Sequence, residues 1–299
     1  MFTTLEPCSI YNLTPPCTKA IIDAQIKEVH AAALDPNPKV NGRGRSALEA
    51  AGIDTYVGQE SKDAGILYEG FSKKIRTGIP FVISKFAVSL DGKMATHAGN
   101  SQWITGEIAR SFAQGLRRTS DAIIIGLNTL ILDDPRLTAR ATDDMPYQRQ
   151  PVRIILDSHC RTPVEARVFK EPGHVIIATT CALPEKTSVL ESVGAEILLL
   201  PSHNGLVDLE TLLKRLGKRD IVTVLVEGGG KLQGSFFDRH SVDKIMAFIA
   251  PIIIGGEGAP SPVEGAGAKH LVDALDLRNV NIELLGRDLL VTGYPHPGN

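Results

Sequence analysis

Cysteine is scarce in this chain of 299 residues: there are four, Cys8, Cys17, Cys160 and Cys181. That is too few for a disulfide scaffold, so a reducing cytoplasm is the expected setting. An excess of one charge is missing too. The net charge is −2, without the basic surplus of a nucleic-acid-binding footprint. Long apolar runs are absent. The longest, residues 245–254, contains Pro251 and falls short of the roughly 20 residues that span a bilayer; it reads as a buried strand. The chain does not open on a charged stretch followed by an apolar one, so no signal peptide is expected. The dinucleotide fingerprint G-x-G-x-x-G and the phosphate loop ending in G-K-[ST] are also missing.

What is present falls into two stretches. Residues 18–25 read as a helix, 29–34 as a strand, 46–51 as a short helix and 52–58 as a short strand. A helix over 64–75 follows, with Leu67, Phe71 and Ile75 at helical spacing. A turn at 77–80 separates two expected domains, 1–77 and 78–299. From Phe81 the pattern changes. Apolar strands ("FVISKFAVSLDG", "AIIIG", "VRIILDS", "HVIIATT", "AEILLL", "VTVLVEGGG", "KIMAFIAPIIIGG") alternate with helices at 107–118 and 208–216. That alternation predicts an α/β fold with a sheet covered on both faces. The tail predicts an edge hairpin turning at 286–288.

Several stretches carry candidate chemistry. In "VLVEGGGKLQGSFF", residues 224–237, an apolar strand runs into three glycines and an amphipathic segment. Such a junction can cradle a phosphate through backbone N–H groups and a helix N-terminus. The plainer reading is a tight turn that needs positive φ. Glu227 ends the strand, as a substrate ligand or as a solvated strand end. "SLDGK" at 89–93 reads as a turn. "SQWIT" at 101–105 holds the only tryptophan, Trp103, more often a core anchor than a ligand contact. "GLNTLILDDPRLTAR" at 126–140 gathers Thr129, Asp133, Asp134, Arg136 and Arg140 in what reads as one polar loop. Arg117 and Arg118 suit either a phosphate or a helix C-terminus.

Cys8 and Cys17 sit in "LEPCSIYNLTPPC", each preceded by proline. Zinc deaminases use such a pair, with a third ligand on an earlier helix and a glutamate two residues beyond it that moves protons. No histidine or cysteine of this chain has Glu two positions on. The acid–base half of a deaminase is therefore not expected within these 299 residues.

Taken together, these motifs resemble the bifunctional riboflavin-biosynthesis deaminase/reductase family. The resemblance rests on "TLEPCS", "TPPC" and the 35–53 segment in the first domain. In the second it rests on "SLDGK", "SQWIT", "GLNTL", "DDPRLT", "ILDS", "LVEGGG" and "IIGG". It implies a dihydrofolate-reductase-like C-terminal domain that binds NADPH. In the family that domain reduces the ribosyl group of 5-amino-6-(5-phosphoribosylamino)uracil to ribityl, and the resemblance implies the same here. It implies coenzyme contacts at Ala87, Trp103, Thr129, Asp133 and Ser158, and at Gly229, Gly230, Lys231, Leu232, Gln233, Gly234 and Ser235. Substrate contacts fall on Ser101, Arg117, Leu137, Arg140 and Glu227, with Arg117 and Arg140 gripping the phosphate. Cys8 and Cys17 match two zinc ligands of a partial deaminase-like domain. Ile10, Asn12 and Leu13 stand where the family carries His, Gly and Arg, so no deaminase activity is expected and zinc would be held substoichiometrically. The resemblance also implies a homo-oligomer. Two alternatives stand beside it: a related reductase acting on another pterin or pyrimidine, and a non-catalytic assembly remnant.

Overall fold

A computed structural model describes residues 1–11 and 14–296. Asn12 and Leu13 lie outside the described residues. The chain divides into two compact units, Met1–Phe81 and Val82–Asn299.

The first unit runs β1 (Phe2–Leu5), α1 (Cys17–Asp23), β2 (Glu28–Ala33), α2 (Arg43–Ala50), β3 (Asp54–Val57), α3 (Ser61–Leu67) and α4 (Glu69–Thr77). Its three strands pair in parallel in the order β1-β2-β3. Val29 and Ala31 point inward from β2 while Glu28 points out, the alternation of a half-buried strand. Ile21, Val29, Leu48 and Ile53 make the core. Gly44 is obligatory, because a Cβ there would sit 1.8 Å from the Pro7 carbonyl oxygen. The single helix expected over 64–75 is two helices meeting at Tyr68, whose hydroxyl donates to Thr4 Oγ1 at 2.6 Å. The Leu67, Phe71 and Ile75 stripe is exposed rather than buried.

The second unit runs β4 (Phe81–Ser89), α5 (Glu107–Thr119), β5 (Ala122–Gly126), α6 (Leu127–Asp133), β6 (Val152–Leu156), β7 (Val175–Thr179), α7 (Pro184–Ser192) and β8 (Ala195–Leu199). It continues through the two-residue strands β9 (Ser202–His203) and β10 (Leu206–Val207), then α8 (Leu209–Gly217), β11 (Thr223–Val226), α9 (Gly230–Phe237), β12 (Lys244–Ala250), β13 (Leu277–Leu285) and β14 (Asp288–Pro295). Nine strands form one sheet in the order β13-β14-β12-β4-β11-β5-β6-β7-β8. The α/β class read from the sequence is observed, and the tail hairpin β13–β14 lies at the sheet edge. From β11 through β8 the neighbours are parallel, and β14 runs antiparallel to β12. Ala122, Ile123, Ile124 and Ile125 of β5 are fully buried, as a parallel strand covered on both faces requires.

Two local readings are corrected. Residues 127–133, taken as part of a polar loop, form α6, whose Leu127 and Leu130 turn inward. The glycines after Glu227, read on the plainer view as a tight turn that needs positive φ, instead lead straight into α9. None of Gly228, Gly229, Gly230 and Gly234 has positive φ. Two of these glycines permit close approach instead. A Cβ at Gly230 would meet the Ser261 carbonyl oxygen at 2.3 Å, and one at Gly234 the Glu264 carbonyl oxygen at 2.0 Å. Spaced by four, they share a helix face, against which the 261–265 backbone packs.

Candidate active site

From β5 the chain moves outward through β6, β7 and β8, then returns to lay β11 on the other side of β5. Such a reversal opens a crevice beyond the carboxyl ends of the strands. A cleft of about 1300 Å³ lies there, at the ends of β5, β6 and β11 and beside the middle of β4. Ten lysine and arginine side chains line it against five carboxylates. Its field therefore favours anions.

At its floor Glu227, just past β11, meets Arg117 from the last turn of α5. Nε donates to Oε1 and Nη2 to Oε2, both at 2.8 Å. The two side chains are 9% and 16% exposed, so the pair is buried and bidentate. Burial opposes the Glu227 charge. The attraction and hydrogen bonds of Arg117, with a smaller pull from Lys85, overcome it and hold the carboxyl at about 2. Glu227 is thus an anion at neutral pH, neither solvated nor free. Lys85 projects from β4, its Nζ 5.4 Å from the centre of the Phe248 ring. Burial pushes its amine below the usual lysine range, Glu227 pulls it back, and Arg117 pushes it down again.

Arg140 forms an ion pair with Asp144 (Nε to Oδ1, 2.6 Å) and donates to Thr138 Oγ1 at 2.9 Å. Burial lowers its pKa, Asp144 raises it, and the nearby Arg117 and Arg136 lower it. Arg136 is spoken for by Glu171 and Asp144. Leu137 sits between these arginines at φ +55, where branched side chains are strained. Asp133 accepts from Ser101 at 3.5 Å, and burial raises its carboxyl above the usual range. Trp103 is no core anchor. It is 69% exposed, with the Arg110 guanidinium 4.8 Å from its ring centre.

Of the sequence-derived positions, Ala87, Ser101, Trp103, Arg117, Thr129, Asp133, Leu137, Arg140, Ser158 and Glu227 all line this one cleft. So do Gly229, Gly230, Lys231, Leu232 and Ser235. Gln233 and Gly234 do not. Gln233 is fully buried and accepts from Ser84 Oγ at 2.8 Å. Its amide donates to the Lys85 and Val226 carbonyls at 3.0 and 3.1 Å. It ties α9 to β4 and β11, while Gly234 faces the 261–265 segment. The sequence reading passed over Lys85, Arg110 and Tyr147, which also line the cleft. For Lys85 a signal existed: a lone cation inside the apolar run "FVISKFAVS".

The cleft suits a phosphorylated coenzyme. Gly229 heads α9, among the described residues no side chain caps that helix, and the Gly229 N–H donates to Thr129 Oγ1 at 3.2 Å. Lys231 follows in the first turn, so dipole and charge both favour an anion. In the first unit the Cys8 and Cys17 sulfurs are 3.4 Å apart. Two thiolates, each about 2.3 Å from one zinc ion, can span that gap. Among the described residues, however, no cluster of three or more His, Cys, Asp or Glu completes a donor set. The described residues therefore do not fit a complete zinc site.

The RibD C-terminal domain family matches residues 80–291. The riboflavin biosynthesis protein RibD of Actinobacillus pleuropneumoniae is 37% identical over 97% of this chain and 77% of its own length. The RibD of Aquifex aeolicus is 40% identical over 97% and 79%. Among solved structures, Acinetobacter baumannii RibD superposes with a TM-score of 0.84 at 34% identity, over 99% of this chain and 81% of that one. The Thermotoga maritima diaminohydroxyphosphoribosylaminopyrimidine deaminase/5-amino-6-(5-phosphoribosylamino)uracil reductase gives 0.82 at 32% identity, over 98% and 79%. The Saccharomyces riboflavin biosynthesis reductase, at 17% identity and a TM-score of 0.59 over 79% of this chain and all of its own, shares the fold. With the family's C-terminal domain matched over most of the chain, and relatives of this identity along nearly its whole length, this chain belongs to the RibD family of riboflavin biosynthesis.

Proposed function

We propose that the chain is an NADPH-dependent reductase of riboflavin biosynthesis. Its substrate is 5-amino-6-(5-phosphoribosylamino)uracil, whose ribosyl group becomes ribityl. The observation that carries this reading is the cationic cleft with a buried Arg117–Glu227 pair at its floor, in a chain of this family. NADPH, when bound, supplies the hydride that the open-chain sugar accepts. The protein supplies placement and charge.

The α9 N-terminus at Gly229 and Gly230, with Lys231, Leu232 and Ser235, holds the coenzyme phosphates. Ala87, Trp103, Thr129, Asp133 and Ser158 line the rest of the coenzyme path. Ser101, Leu137, Glu227 and the arginines hold the substrate. Arg140 is the principal phosphate grip: burial disfavours its charge, exposed Asp144 only partly offsets this, and Arg117 and Arg136 repel it, so a phosphate dianion beside it favours the guanidinium. Arg117 is committed to Glu227 and acts by fixing that carboxylate, which as an anion accepts hydrogen bonds from substrate hydroxyl or amine groups. Residues 78–299 carry this activity, and 1–77 form a partial deaminase-like domain. The protein works in the cytoplasm as a homo-oligomer.

The purified 299-residue chain should oxidise NADPH, followed at 340 nm, when given the aminouracil ribosyl phosphate. Folded protein without turnover would sink the proposal. NADPH should also quench Trp103, which faces the cleft. The same chain should not deaminate the pyrimidine precursor, and measured ammonia release would refute that part.

A further inference from the structure

We propose that Cys160 and Cys181 form a reversible disulfide that alters the coenzyme end of the cleft. The two cysteines follow β6 and β7, which are paired strands with Leu156 opposite Ala178. The pairing runs on past both strand ends: Asp157 N donates to the Ala178 carbonyl at 3.0 Å, and Thr180 N to the Ser158 carbonyl at 3.3 Å. Continued, that register sets Cys181 opposite His159, the residue just before Cys160.

The chain then turns back, with Cys160 N donating to the Asp157 carbonyl at 3.3 Å and φ of +52 at Cys160. This aims the Cys160 thiol at Thr179 Oγ1, 3.3 Å away. The same hydroxyl accepts from Cys181 N at 3.0 Å. The Cys160 thiol and the Cys181 backbone N–H therefore meet at one oxygen, which sets the two cysteines beside each other. Each is half-buried and free, so a small oxidant can reach them.

Burial disfavours the Cys160 thiolate, which casts Cys160 as the resolving partner. With hydrogen peroxide as oxidant, the Cys181 sulfur bonds to one oxygen. The O–O bond breaks, and the other oxygen leaves as water. The Cys160 sulfur then displaces the hydroxyl from the Cys181 sulfenic acid. The S–S bond forms, the S–O bond breaks, and a second water carries off the remaining thiol proton. Two thiols lose two electrons, and one peroxide becomes two waters.

The same strand ends carry the cleft wall. Ser158 Oγ accepts from Val207 N at 3.1 Å, and the Ser158 carbonyl accepts from Thr180 Oγ1 at 2.8 Å. Arg161, next to Cys160, lines the cleft with Ser158. Closing the disulfide breaks the Cys160–Thr179 bond and draws the two ends together, which displaces Ser158 and Arg161. This consequence rests on the coenzyme reading of the cleft, whereas the disulfide itself does not.

The test treats the full chain with hydrogen peroxide and maps its peptides by mass spectrometry. A peptide joining Cys160 to Cys181, two hydrogens lighter and reversed by dithiothreitol, is expected. NADPH affinity should fall severalfold on oxidation and recover on reduction. Cys160→Ser and Cys181→Ser should each remove both the link and the affinity change. Absence of that peptide from folded protein, or a link confined to Cys8 and Cys17, overturns the proposal. A link that leaves NADPH affinity unchanged overturns its effect on the cleft. Reduced protein that binds no NADPH would instead overturn the coenzyme reading, and the mass measurement remains independent of it.

Discussion

Arg117→Met is the sharpest perturbation of the cleft. It removes a buried cation and leaves Lys85 as the remaining positive charge acting on Glu227. Breaking one side of a buried ion pair costs about 3–5 kcal/mol. The proton affinity of Glu227 gives an independent figure. Its carboxyl drops from 4.5 to about 2 in the folded protein, and each tenfold change is worth about 1.4 kcal/mol, so the environment stabilises the anion by roughly 3 kcal/mol. The two routes agree. Urea unfolding followed by circular dichroism at pH 7 should show this loss. In thermal melts it should appear at about 2–4 °C per kcal/mol for a unit of this size. The pH dependence follows from the sign of the shift. The folded pKa is lowered, so the stabilisation is complete above about 4.5 and is lost as pH falls from there towards 2. The gap between wild type and variant should therefore be full at pH 7 and narrow below pH 4.5. A loss under about 1 kcal/mol, typical of exposed pairs, or a gap that does not narrow, would refute the account.

Arg140→Ala should raise the substrate KM at least tenfold, since a hydrogen bond to a charged group contributes about 1.5–3 kcal/mol. NADPH affinity should hold, and equal loss of both would contradict the assignment. Gly234→Ala places a Cβ 2.0 Å from the Glu264 carbonyl oxygen and should cost about 1–3 kcal/mol by overpacking. An unchanged melting temperature would show that the 261–265 segment does not seat there. Gln233→Leu orphans the Ser84 hydroxyl and the Lys85 and Val226 carbonyls, at about 1–3 kcal/mol for an unsatisfied buried group. It should lower stability in urea while weakening NADPH less than Lys231→Ala does. The reverse order would restore Gln233 to the coenzyme contacts.

Much of the fold was legible because its signals are local. "AIIIG" reads as a buried strand from its own residues, and β5 is one. The 107–118 helix and the tail hairpin stand close to their expected places for the same reason. Where the reading failed, a distant partner had decided the outcome. The 64–75 stretch, with its apolar residues at helical spacing, looked like one helix, but the chain breaks at Tyr68, tied to Thr4. "LNTLILD" was read with its polar neighbours as a loop, although Leu127 and Leu130 bury one face of a helix.

The sequence alone determined the α/β class, the order of most strands and helices, and the motifs that place the chain in its family. These depend on periodicity and on residue types within short windows. Only the tertiary structure decided how the site is wired. Glu227 and Arg117 stand 110 residues apart in the chain and meet because the sheet lays β11 beside β5. Trp103 is open to the cleft although its residue type favours burial. Gln233 is sealed in the core although its motif pointed to the coenzyme. Glycines that looked like a turn instead admit the backbone of a segment some 30 residues onward. Each depends on which surface another part of the chain comes to occupy, and no local pattern encodes that.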